Sequence, residues 1–185
     1  MQRIARNLRA SSYQHTLRVN EREGEYHFDC SLMTSWILQR AAPRALARVG
    51  SDRPVARDFY RAIARASREP GRGPWQRVPR ILDARPGDIL AWVRPPWFRS
   101  NNTGHVAVVV APPRAYPGGV LVRIADASSY NHEDDTRSGL TGFGIGVILV
   151  TTDPVSGEGT GYGWVGRYSG GWTVPTPVVI GRVSE

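Results

Sequence analysis

From Ile89 onward the sequence is cut into short apolar runs by glycine, proline, aspartate and serine. Ile89 to Val93 follows the turn Pro86-Gly87-Asp88, His105 to Ala111 is rich in valine, and Val120 to Ala125 alternates in part. Gly146 to Thr151, Tyr162 to Tyr168 and Val178 to Val183 complete the series. Runs of this length between turn-forming residues predict β-strands. The earlier part of the chain has another rhythm. Leu32, Trp36 and Ile37 stand at helical spacing in a segment from Cys30 to Gln39, with Asp29 as N-cap and Pro43 marking the end. Val55, Phe59, Ile63 and Ala66 predict a second, amphipathic helix between Pro54 and Arg68, its other face filled with arginine. Glu69 to Trp75, with two prolines and two glycines, reads as a linker. Helices first and strands after, without alternation, predict an α+β fold: N-terminal helices packed on a largely antiparallel sheet.

The 185 residues suit one domain, with a core over about residues 13–151 and the strands of 160–185 in the same unit. No apolar run approaches the roughly 18 residues of a membrane span. The basic first ten residues lack the apolar segment of a signal peptide. By default this places the chain in the cytoplasm, with an exported or injected form left open. The formal charge is +8, and every basic residue is arginine rather than lysine. Such a surface suits anionic partners through planar, bidentate donors. There is one cysteine, Cys30, so an intrachain disulfide and a thiolate-rich zinc site are excluded.

Cys30 opens a predicted helix, where free amides and the helix dipole favour a thiolate. His105 opens a valine-rich strand directly after Gly104, a rigid mount for a side chain facing a cleft. A third group must orient the imidazole. Asp126 closes the next predicted strand, and in an antiparallel pair the end of one strand lies beside the start of its neighbour. Cys30, His105 and Asp126 are therefore the candidate nucleophile, base and orienting residue. His132 is the other candidate for the third place.

The segments Asp29-Cys30-Ser31, Pro86-Gly87-Asp88-Ile89 and Gly104-His105-Val106 resemble the NlpC/P60 group of papain-like cysteine peptidases. The resemblance covers the region from about Tyr13 to Ser129. It implies a papain-like fold, a helix bearing the cysteine on a sheet bearing the histidine, and cleavage of an amide bond in bacterial cell-wall peptides. It also implies that Asp29 and Ser31 bind the substrate peptide and that Tyr13 lies near the nucleophile. Leu32 stands where that group has glycine, and Asp126 where it often has histidine. The reaction so implied passes through a thioester acyl-enzyme, with the oxyanion held by the Cys30 amide and a second donor such as Tyr13. It requires no metal or organic cofactor.

Other features read more plainly. His132-Glu133-Asp134-Asp135 lacks the spaced oxygen ligands of a hard-metal site, and Asp135 with Arg137 forms a candidate local ion pair. Gly142-Phe143-Gly144-Ile145-Gly146 lacks the spacing of a phosphate loop. Trp164 and Trp172 read as packing residues that have the alternative of lining a cleft. The arginine-rich stretch from Arg40 to Arg80 has sparse aromatic interleaving and no groove-reading motif, which argues against nucleic acid as the partner. It leaves a non-catalytic alternative, a module that binds an anionic peptide or polymer. Oligomeric state is open.

Overall fold

The structure is a computed structural model describing residues 1–137, 141–165 and 171–184. In chain order it holds α1 (Gln2–Asn7), β1 (Ala10–Ser12), β2 (Arg18–Asn20), β3 (Glu25–His27), α2 (Cys30–Ala41), α3 (Pro43–Ala47) and α4 (Ala56–Ala64). Then follow β4 (Trp75–Val78), a 3-10 turn at Ile81–Asp83, β5 (Ile89–Val93), β6 (Gly104–Val109) and β7 (Arg114–Tyr116). The series ends with β8 (Gly119–Ser128), β9 (Gly142–Thr152), β10 (Gly159–Gly163) and β11 (Thr173–Val183).

The expected papain-like α+β fold, helices laid on an open sheet, is overturned by this topology. The chain is mostly β. Strands β5, β6, β8, β9, β10 and β11 pair in a ring, each antiparallel to its neighbours, and close a six-stranded barrel. The helices are few and short, the longest being the 12 residues of α2. The cause lies in β11, which pairs with β5 along one edge and with β10 and then β4 along the other. Closure leaves no pair of free edges in the ring, which is how antiparallel sheets escape unpaired backbone. The apolar periodicity that marks each strand carries no information on this long-range pairing.

Alternation then sorts side chains to two sides of the wall. Leu90 and Trp92, Ala107 and Val109, Val120, Val122 and Ile124, Ile148 and Val150, and Val178 and Ile180 form the inner cluster. Ile89 and Ala91, Val106 and Val108, and Ala125 and Ala127 face outward and meet the helices. There α2 contributes Met33 and Leu38, and α4 contributes Phe59 and Ile63. A separate three-stranded sheet, β1 and β2 flanking β3, leads into α2 and brings Tyr26 and Phe28 to the outer cluster. The inner row changes character along β8. After Val120, Val122 and Ile124 the same face carries Asp126 and Ser128, both buried. The barrel interior is therefore dry in its body and polar toward the end of β8.

Individual strands match the sequence reading closely, Ile89–Val93 without adjustment. The run from Tyr162 ends earlier, at Gly163, and residues 166–168 of that predicted strand lie outside the described residues.

Candidate active site

Asp29 caps α2 as expected: its Oδ1 accepts the Leu32 amide at 2.8 Å. This fixes Cys30 as the first helical residue, buried at 4 % exposure. Gly104 fixes His105. The glycine has φ +139°, and a Cβ there would stand 2.0 Å from the Trp92 carbonyl oxygen. Only glycine brings the two strands this close at that backbone angle. His105 pairs in register with Trp92, and the two rings lie 5.0 Å apart.

Strands β6 and β8 are antiparallel neighbours, with Val108 opposite Ala125. Asp126 lies two residues before the end of β8 rather than at it. Its Oδ2 is 2.6 Å from Nε2 of His105 and 2.8 Å from Nε2 of His132. An ionised carboxylate only accepts, so Nε2 carries the proton on both rings. For His105 this leaves Nδ1 as the nitrogen available to the Cys30 thiol. Asp126 thus stands beside His105, and His132, the other candidate for the third place, is bonded to the same carboxylate oxygen. Its Oδ1 is ion-paired with Arg137, which also pairs with Asp135, the local ion pair expected from the sequence.

Burial opposes a charge on His105. The charge of Cys30, hydrogen bonds to Asp126 and Cys30, and the charge of Asp126 outweigh it and push the imidazole up to about 10. Burial likewise opposes ionisation of Asp126, yet His132 and His105 hold its carboxyl well below the usual carboxylate range. Cys30 and the Asp126 carboxylate, which is bonded to both rings, thus favour the charged form of His105. Tyr13 is half-buried. Burial, reinforced by the charges of Cys30, Asp29 and Asp126, pushes its hydroxyl above the ordinary tyrosine range and keeps it a neutral donor.

The other residues singled out fall as follows. Asp29 is committed locally, with Oδ1 on the helix cap and Oδ2 2.9 Å from His15. Ser31 is buried with Oγ 3.8 Å from the Cys30 sulfur. His27 is 2.8 Å from the Ser12 hydroxyl, away from the triad. His105, Asp126 and His132 also offer two nitrogens and an oxygen within 4.8 Å of one another, a set with the chemistry to hold a metal ion. Those atoms are hydrogen-bonded to each other, and Arg137 covers the second carboxylate oxygen.

Two parts of the site escaped the sequence reading. The first is the support beneath Asp126. Gly144 and Gly146 of β9 leave bare strand against which Arg137 and His132 lie; a Cβ would stand 2.5 Å from Arg137 Cγ and 2.7 Å from His132 Cβ. The signal was present as glycine at every second position, which clears one face of a strand. The second is the cleft at the triad, about 500 Å³, which His105 and Tyr13 line. Tyr162 of β10, Trp164 just after that strand and Trp172 just before β11 line it as well. The indoles read as packing residues are cleft residues.

Comparison with known proteins finds no counterpart: no protein-family model, no curated protein and no solved structure matches the chain. The likeness to NlpC/P60 peptidases therefore rests on the motif residues alone.

Proposed function

We propose that the protein is a cysteine hydrolase that cleaves an amide bond through a thioester on Cys30. The observation that supports this most is the setting of His105, an imidazole bonded through Nε2 to the buried Asp126 carboxylate and favoured in its charged form by that carboxylate and the sole cysteine. The Cys30 thiolate attacks the amide carbon. The oxyanion is taken up by the Cys30 amide and the Tyr13 hydroxyl. His105 gives its Nδ1 proton to the leaving amine as the C–N bond breaks. Water then attacks the thioester, His105 accepts its proton, and the acid leaves with the thiol restored. Asp126 keeps the ring in one orientation and tautomer throughout. The motif resemblance points to cell-wall peptides as one substrate class to assay.

The test is acyl transfer from p-nitrophenyl acetate. Wild type should trap an acetyl group on Cys30, read by mass spectrometry, and release it slowly. Equal acetylation of His105→Ala, or none in wild type, would remove the reading.

A second reading is binding of an anionic ligand, supported by a separate cleft of about 520 Å³ lined by Arg48, Arg61, Arg65 and Arg72. Asp58, the one acid lining it, has its carboxylate on the Val55 amide. Binding there would weaken steeply with salt and survive loss of Cys30.

A further inference from the structure

The aromatic cleft beside His105 narrows what such an enzyme accepts. Trp92 and Tyr162 stack at 4.3 Å and 24°, and Trp164 and Trp172 stack at 4.8 Å and 29°. Tyr162 meets Trp164 and Trp172 edge-on, at 67° and 75°. Trp164 also lies 5.2 Å from His132. The rings thus run without a break from the two histidines on Asp126 to Trp172, which is 47 % exposed. Edge-to-face and offset pairs are the arrangements aromatic rings favour, so this wall offers further ring faces and edges to one more ring.

Charge and hydrogen bonding select within flat ligands. The cleft is lined by Arg94, His105 and His132 and by no aspartate or glutamate among the described residues. Ring faces attract a cation, but the charges that line this cleft, Arg94 and the His105 imidazolium, repel one. A sugar ring needs free polar side chains around it. Ser100, Asn102 and Ser128 line the cleft with side-chain oxygens that accept the backbone amides of Asn102, Gly104 and Tyr130, but Ser129, Tyr130 and Asn131 line it too, so a sugar is the rival ligand that the titration must separate. The rings themselves form an apolar wall in the cleft that His105 lines.

We propose that this cleft holds an uncharged aromatic side chain of a peptide, adjoining the amide that Cys30 attacks. The proposal rests on the cysteine-hydrolase reading for its location, and its test separates the two. Cys30→Ala protein is titrated with the N-acetyl amides of phenylalanine, leucine, glutamate and lysine and with N-acetylglucosamine, following tryptophan fluorescence. The phenylalanine amide should bind at least about tenfold more tightly than any of the others. Trp172→Ala should lose about tenfold in that affinity with its thermal unfolding unchanged. Trp97→Ala, which removes a more exposed indole outside the cleft, should keep it. Equal binding of all five ligands, binding of none, or preference for the sugar, the acid or the cation would overturn the proposal. Acetylation of Cys30 in wild type is read in parallel, so that loss of ring preference with intact acetylation discards the specificity alone.

Discussion

Two buried aspartates, each paired with an arginine, sit at different ends of β5 and have different work. Asp88 precedes the strand, and Asp126 belongs to the group around His105, which faces Trp92 near the strand's far end. Asp88 receives Arg182 through two bonds, Nε to Oδ1 at 2.9 Å and NH2 to Oδ2 at 2.8 Å, and takes the Arg85 amide at 2.8 Å. Every one of those partners keeps its proton at any physiological pH. Asp126 has an arginine on one oxygen and two imidazoles on the other. The first arrangement is a clamp between the turn before β5 and the end of β11. The second can pass a change of protonation to a thiol. Burial and an ion pair are common to both, so neither distinguishes a reactive carboxylate from a structural one; the titratable partner does.

The widest separation should appear in chemistry. Cys30→Ala should lose acyl transfer by roughly a thousandfold or more, and Asp126→Asn should lower it by at least about tenfold. Asp88→Asn should leave the acetylation rate of the folded protein within about twofold. Comparable losses in the two aspartate variants would break the distinction.

Stability should separate them next. Asp126→Ala leaves His105 and His132 without their carboxylate and Arg137, whose side chain is 1 % exposed, with Asp135 alone, and should cost about 3–5 kcal/mol in urea unfolding. In Asp88→Ala the arginine left behind is 25 % exposed and reaches water, so the loss should be about 1–3 kcal/mol. A larger cost at Asp88 would reverse the assignment of clamp and site.

A further separation lies in the pH dependence. His105 is raised from an ordinary 6.5 to about 10, so its contribution to stability is complete below the lower value and disappears as pH rises through the higher one. Wild type should therefore lose thermal stability between about pH 6.5 and 10 by a margin that His105→Gln does not show. Melting curves across that range check it, and parallel curves for the two proteins would remove the imidazolium from the account.

Much of the triad was legible because local rules govern it. Aspartate before a helical pattern caps it, a thiol at the first turn meets free amides, and consecutive antiparallel strands bring His105 and Asp126 together. Barrel closure was not legible, because Trp92 and Val178 become partners only through the fold. For the same reason Trp164 and Trp172 read as packing residues: their place in the cleft depends on where β10 and β11 go. The glycines of β9 show the intermediate case. Their alternation is plain in the sequence, but what occupies the cleared face, Arg137 and His132, comes from the loop before the strand.

The pairing of β11 with β5 also imposes an order in time. During synthesis Cys30, His105 and Asp126 all emerge well before the strand that shuts the ring. Until it arrives, β5 has a free edge and the aromatic wall is incomplete. A nascent chain can cap its helix and pair its middle strands, yet it cannot offer a finished pocket to a substrate. Distant pairings of this kind slow folding. For this chain the delay means that the cleft is complete only after β11 has docked.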